Sequence, residues 1–272
     1  MYLEYLKLRE WPFANTADPS FLFLSNKHRE ALAHMVFGIR ERKGFVQITG
    51  EVGTGKTTLC KTLLRQLDAN TKTALILQPS LSELQLLQAV VQDFGLNPMR
   101  ADRFGLFNRL NQFLLEQAEQ SHNLVLIIDE AQNLSLRVLE QIRMLSNLET
   151  DKTKLIQIIL VGQPQLHHKL SSPALEQLRQ RVAIRYHITP LEPEEVTTYI
   201  KHRLRVAGAN GSPRWTPEAM EEIYQYSHGV PRLINLICDR CLLACYVRNV
   251  KRIDADMVRQ SHAEIEGPVP TP

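Results

Sequence analysis

Residues 45–58 read FVQITGEVGTGKTT, an apolar run that opens into a glycine loop closing on a lysine and two threonines. The helix-forming stretch LCKTLLRQL follows at once. The pattern Gly50-x4-Gly55-Lys56-Thr57 has the preceding strand and following helix that a phosphate loop requires, which points to an α/β chain. Glycines let the backbone curl so that successive N–H groups point inward, and the helix N-terminus adds positive potential. Residues Gly50, Glu51, Val52, Gly53, Thr54, Gly55, Lys56, Thr57 and Thr58 are therefore the expected cradle for a nucleoside triphosphate. Lys56 is expected to reach the β- and γ-phosphates, and Thr57 to ligate Mg²⁺.

Four more apolar runs recur downstream: TALILQ (73–78), LVLII (124–128), LIQIILVG (155–162) and IRYHI (184–188). Helical patterns separate them, one of them over about Arg137 to Leu148, so the strands predict a five-stranded parallel sheet flanked by helices. The pattern changes at Pro190, after which EPEEVTTYIKHRLRVAG, TPEAMEEIYQYS, VPRLINLICDRCLLACYVR and DADMVRQSHAEI all read as helix. This predicts an α/β base domain over 1–190, a small all-helical lid over 191–266 and a disordered tail over 267–272. Residues 1–25 are aromatic and turn-rich; Phe13 and Phe21 suit either the core or the face of an adenine ring. His28 and Arg29, opening the next helix, carry the same two readings.

At 272 residues, 44% apolar and 22% charged, the chain is long enough for a large and a small domain. A net charge of +3 is too small to argue for nucleic acid or an anionic membrane. Cys238, Cys241 and Cys245 share one helix face with no second ligand pair, which predicts buried thiols in a reducing compartment. His167 and His168 are adjacent, in a stretch read as a turn, and do not form a metal site. The N-terminus lacks a signal pattern, and no uncharged stretch reaches the ~18 residues that span a bilayer.

LVLIIDE sets Asp129 and Glu130 at the carboxyl end of a buried strand, where open α/β sheets bind ligands. Asp129 is expected to hold Mg²⁺ through its water shell, and Glu130 to polarise an attacking water. The expectation is ATP hydrolysis rather than phosphoryl transfer to a metabolite, since a simple kinase has no need of a helical C-terminal domain.

Base, acidic pair, further strand, arginine-rich segment and helical lid together resemble an AAA+ ATPase, with the P-loop NTPase fold. In that resemblance Arg181, with Arg179 as the alternative, supplies an arginine finger to a neighbouring subunit's γ-phosphate. Arg232 in GVPR takes the sensor 2 role, and Gln163, ending LIQIILVGQ, the sensor 1 role.

The segments WPF, DPSFLFLS and HREAL, then GEVGTGKTT, LIIDEAQNL, RMLSNLETDKTKLIQIILVGQPQL, LEQLRQRVAIRYHITPL and GVPRLINLICDR, resemble one AAA+ group. It is the ATPase domain of the general secretion pathway protein A family, with relatives in MSHA-type pilus biogenesis and in exopolysaccharide and exosortase systems. The resemblance covers about residues 1–265. It implies a Mg²⁺-dependent ATPase in the cytoplasm, peripheral to the inner membrane, that helps assemble an envelope-spanning machine. It implies a homo-oligomeric ring, a hexamer being the expected form, and an inner-membrane or secretion or pilus assembly protein as partner. The secretion member continues into a transmembrane segment and a peptidoglycan-binding region. Here the chain stops at GPVPTP, so the expectation is a short member nearer the pilus or exopolysaccharide type, or an excised ATPase domain. The alternative is a DNA-binding AAA+ ATPase of the transposition or initiator type, with Lys152, Lys154 and Lys169 lining a pore.

Overall fold

The structure is a computed structural model, and it describes residues 1–77, 80–98, 102–149 and 153–266. In chain order its elements are α1 (Tyr2–Leu6), α2 (Asn26–Arg40), β1 (Phe45–Gly50), α3 (Lys56–Gln66), β2 (Thr71–Ile76), α4 (Glu83–Asp93) and α5 (Arg103–Glu119). Then come β3 (Asn123–Ile128), α6 (Leu136–Leu145), β4 (Gln157–Gly162), α7 (Pro164–Leu170), α8 (Glu176–Arg181) and β5 (Val182–Ile188). The remainder is α9 (Pro193–Val206), β6 (Arg214–Trp215), α10 (Pro217–Ser227), α11 (Pro231–Val247), β7 (Arg252–Ile253) and α12 (Ala255–Glu266).

The chain divides into two compact units. One comprises Asn26–Glu51 and Leu59–Ile188; the other comprises Met1–Ser25, Val52–Thr58 and Thr189–Pro272. The break before Thr189 lies two residues ahead of the expected lid start at 191. Residues 1–25 and 52–58, expected within a 1–190 base domain, group instead with the C-terminal helices. Residues 267–272, expected as a tail, lie outside the described residues, as do Gln78, Pro79 and Lys152.

The first unit is built on one parallel sheet in the order β2-β3-β4-β1-β5. Its register sets Thr49 beside Gly162, Ile127 beside Ile159, and Ile76 beside Ile128. Every residue of β1 and β4 is buried, as is β3 from Leu124 onward. These central strands read as continuous apolar runs because helices cover both faces. Leu86, Leu87, Val90 and Val91 of α4, and Leu106, Leu110 and Leu114 of α5, complete the core at helical spacing. Because the strands are parallel, the residues that follow β1, β3 and β4 all leave from the carboxyl edge of the sheet.

Two local differences have physical reasons. The stretch QLHHKL is helical (α7), not a turn, because Pro164 at its first position pre-sets φ for a helix start. The α6 helix ends at Leu145 rather than Leu148, where the Ser146 hydroxyl donates to the carbonyl of Arg143 at 2.6 Å.

In the second unit, α1 and α9–α12 share a core that includes Tyr2, Phe13, Phe21, Ile200, Ile223, Ile237 and the thiols of Cys238, Cys241 and Cys245. Burial raises all three thiols, Cys241 to about 12 and Cys245 to about 11. Read as helix throughout, this region also holds a two-residue parallel pair, β6 with β7. Phe13 and Phe21 are core residues, and Arg203 explains how the N-terminal segment is held. Its guanidinium lies 4.6 Å from the Phe21 ring centroid and donates to the carbonyls of Pro12 (2.6 Å) and Ala14 (2.9 Å) and to the Tyr199 hydroxyl (3.2 Å). No helix among the described residues is long and apolar enough to cross a membrane.

Candidate nucleotide site

The loop after β1 turns at Gly53 (φ +82°) and Gly55 (φ +91°), and α3 begins at Lys56. Positive φ at both positions is what the spacing of the motif required. Lys56 and Thr54 are buried, Gly53, Gly55, Thr57 and Thr58 are half-buried, and Glu51 and Val52 are exposed. Gly50 is the buried last residue of β1.

Within the same unit, the start of α11 rests on this loop. The Arg232 N–H donates to the Gly53 carbonyl at 3.2 Å. The first N–H groups of a helix have no partner inside it, and the loop supplies one. A Cβ on Gly53 would lie 2.6 Å from the Cβ of Arg232. The Arg232 side chain itself is exposed. Upstream, Gly229 (φ +73°) accepts the Leu191 N–H at 2.9 Å, and a Cβ there would fall 2.0 Å from the Leu191 carbonyl oxygen. The GVPR segment is thus held by backbone contacts at both ends.

In the sheet unit, Asp129 is 1% exposed and its N–H donates to the Ile76 carbonyl at 2.8 Å. Its Oδ1 accepts the N–H of Glu130 at 2.9 Å. Glu130 stands at φ +50°, a left-handed conformation uncommon for a residue with a side chain. Its Oε2 accepts from Gln132 Nε2 at 2.5 Å and from Gln163 Nε2 at 3.3 Å. Gln132 Oε1 in turn accepts the Gln163 N–H at 3.0 Å. The expected sensor residue Gln163 is therefore brought to the expected catalytic carboxylate, with Gln132 bridging them. Sequence reasoning missed Gln132, whose only signal was a polar side chain two places after the acidic pair. Lys169 donates to the carbonyls of Gln132 (2.5 Å) and Leu134 (2.8 Å), fixing that turn from α7.

The two expected finger residues differ. Arg181 is half-buried and donates to the Ser146 hydroxyl at 3.0 Å and to the Asn147 side chain. Arg179 is exposed, and among the described residues its guanidinium makes no hydrogen bond or ion pair. His28 is buried in α2 and Arg29 donates to Asn26. Lys154 is paired with Glu149.

A five-stranded parallel sheet in this order, a phosphate loop after β1, an acidic pair after β3 and a helical C-terminal part define an AAA+ P-loop ATPase. A family model described as an AAA domain matches residues 39–170. General secretion pathway protein A of Aeromonas hydrophila is 44% identical over 270 residues, which is 98% of this chain and 49% of that protein. The chain belongs to the general secretion pathway protein A family of AAA+ ATPases, and it spans about half the length of that relative.

Solved structures agree on the fold. The ORC2 protein of Aeropyrum pernix, in its ADPNP-ADP complexes, superposes with a TM-score of 0.71 at 18% identity, over 96% of this chain and 72% of that one. Cdc6p of Pyrobaculum aerophilum gives 0.72 at 17%, over 95% and 71%. At these identities the likeness is one of architecture.

Proposed function

We propose that the chain is a Mg²⁺-dependent ATPase whose turnover drives assembly of an envelope machine, of the secretion, pilus or exopolysaccharide kind. The observation that carries the reading is the carboxylate of Glu130, oriented by Gln132 and Gln163 at the carboxyl edge of the sheet. A carboxylate so held is suited to polarise a water for attack on the γ-phosphate. Lys56 and the loop N–H groups neutralise phosphate charge, and Arg232 senses it from the start of α11. The Thr57 hydroxyl and Asp129 carboxylate are hard oxygen donors, which fit Mg²⁺. Held by such donors, Mg²⁺ would neutralise phosphate charge.

The chain acts as a homo-oligomeric ring on the cytoplasmic side of the inner membrane, with a membrane-anchored assembly protein as partner. An exposed, unengaged Arg179 suits a finger offered to a neighbouring subunit, while Arg181 holds the segment that presents it. DNA binding is the weaker reading. Lys154 and Lys169 already have partners within the chain, and the ORC and Cdc6 likeness extends to fold alone.

Glu130→Gln is the test. The variant should bind ATP with unchanged affinity and show no turnover; retained turnover removes Glu130 from the catalytic role. Measuring the wild-type rate with and without duplex DNA separates the readings, since stimulation by DNA favours the alternative.

A further inference from the structure

The helical unit holds a second recess, unrelated to the phosphate loop. It has a volume of about 700 Å³ and lies between α9 and the 211–217 segment leading into α10. Its walls are largely apolar and include Leu204, Trp215 and Met220, while Lys201, Arg205 and Arg214 also line it. No acidic residue lines it, and among the described residues none of the three cations forms an ion pair.

Two polar atoms in the wall are left over. The indole N–H of Trp215 and the hydroxyl of Ser212 are both buried from solvent without a hydrogen-bond partner. Native proteins keep few such unpaired polar atoms. Both atoms are enclosed in the wall, so the groups that meet a ligand in the recess are its apolar side chains and the three cations.

Backbone geometry adds a third feature. The N–H groups of Arg214 and Thr216 donate to the carbonyls of Lys251, just before β7, and of Ile253, on β7 (2.9 and 3.0 Å). In a parallel ladder the intervening residue directs its own N–H and C=O to the opposite side. The Trp215 N–H and C=O thus point away from β7.

We propose that this recess is a docking site for an acidic, apolar peptide segment of a partner protein, bound in extended form along β6. Apolar side chains enter between Leu204, Trp215 and Met220. Flanking carboxylates meet Lys201, Arg205 and Arg214. A nucleic acid strand satisfies the cations but not the enclosed apolar walls, which favours the peptide. The site stands apart from the nucleotide reading and holds whether or not that reading does.

The test uses the full chain on an array of immobilised twelve-residue peptides in three compositions: acidic with leucines, basic with leucines, and acidic with serines. The same protein is titrated with single-stranded oligo-dT. The expected result is retention on acidic-leucine peptides at least about tenfold above the other two classes. In Lys201→Glu/Arg205→Glu/Arg214→Glu that preference should invert toward basic-leucine peptides, because the walls are kept and the charge reversed. All three residues are exposed, so an unchanged melting temperature verifies folding. Equal retention of all classes, retention unaffected by the triple substitution, or tight oligo-dT binding lost in the triple variant each overturns the proposal.

Discussion

Gly53→Ala is the most direct probe of how the phosphate loop is tied to the helices behind it. At φ +82° an alanine is strained by about 1–2 kcal/mol. Its Cβ would also sit 2.6 Å from the Arg232 Cβ and 3.2 Å from a Val230 methyl. Carbon atoms prefer about 3.5–4.0 Å, so the start of α11 must withdraw by roughly 1 Å. Overpacking of this kind costs about 1–3 kcal/mol. Withdrawal also lengthens the 3.2 Å hydrogen bond from Arg232 to Gly53, worth about 1 kcal/mol. The sum is about 3–6 kcal/mol, and at 2–4 °C per kcal/mol the melting temperature should fall by roughly 6–24 °C. Fluorescent-nucleotide titration should show weakened ATP binding in parallel.

Adding Arg232→Gly separates the two terms, since it removes the clash and leaves the strain. The double variant should recover about 1–3 kcal/mol of the loss. A melting temperature within about 2 °C of wild type for Gly53→Ala, with unchanged nucleotide affinity, refutes both the left-handed loop and its contact with α11.

Gln132→Ala removes the bridge between Glu130 and Gln163, and kcat should drop about 10–100-fold while ATP affinity holds, as for loss of one charge-assisted hydrogen bond. Arg179→Ala should abolish hydrolysis without weakening nucleotide binding, and mixing it with Lys56→Ala protein should restore part of the rate. Arg181→Ala should chiefly lower the melting temperature. Arg203→Ala strands the carbonyls of Pro12 and Ala14 in the core and should destabilise by about 3–5 kcal/mol, read as a shift in urea midpoint. The ring of His202 is pushed below its ordinary value by burial and by the guanidiniums of Arg205 and Arg203. A depressed value means the folded state favours the neutral ring. Its contribution is therefore complete above pH ~6.5 and is lost as pH falls through the folded-state value. Melting curves from pH 7.5 to 5 should decline less in His202→Gln.

The sheet was legible because its central strands are buried on both faces, so FVQIT, LVLII and QIILVG carry no polar alternation to confuse them. The phosphate loop and acidic pair were legible for a different reason: their chemistry fixes residue type and spacing. What escaped was whatever depends on distant partners. The ownership of residues 1–25 rests on Arg203 and the core beneath it, about 190 positions away in sequence. A better reading of α9 was available, since Val196, Tyr199, Ile200 and Leu204 mark a buried stripe that includes position 203. An arginine on that stripe needs partners. The β6–β7 pair is two residues long and carries an arginine in each strand, too little for any periodicity. The left-handed turn at Glu130 has no sequence signature, and it is this turn that brings Gln132 back onto the carboxylate.

The backbone contacts of the helical unit suggest how nucleotide and partner communicate. Gly53 holds the start of α11 through Arg232, and Gly229, just before that helix, is locked against Leu191. From Leu191 the chain enters α9 within two residues, and α9 carries Lys201 and Arg205 of the proposed peptide groove. Each link is a peptide hydrogen bond reinforced by a glycine with no room for a side chain, so a change in the loop is passed on as displacement rather than absorbed by rotamers. Binding linkage then makes the relation reciprocal: a nucleotide that alters groove affinity by some factor has its own affinity altered by that factor when the groove is filled. An acidic-leucine peptide should therefore change the ATP dissociation constant of the wild-type chain. In Gly53→Ala, where the first link is broken, the same peptide should still bind and leave that constant unmoved.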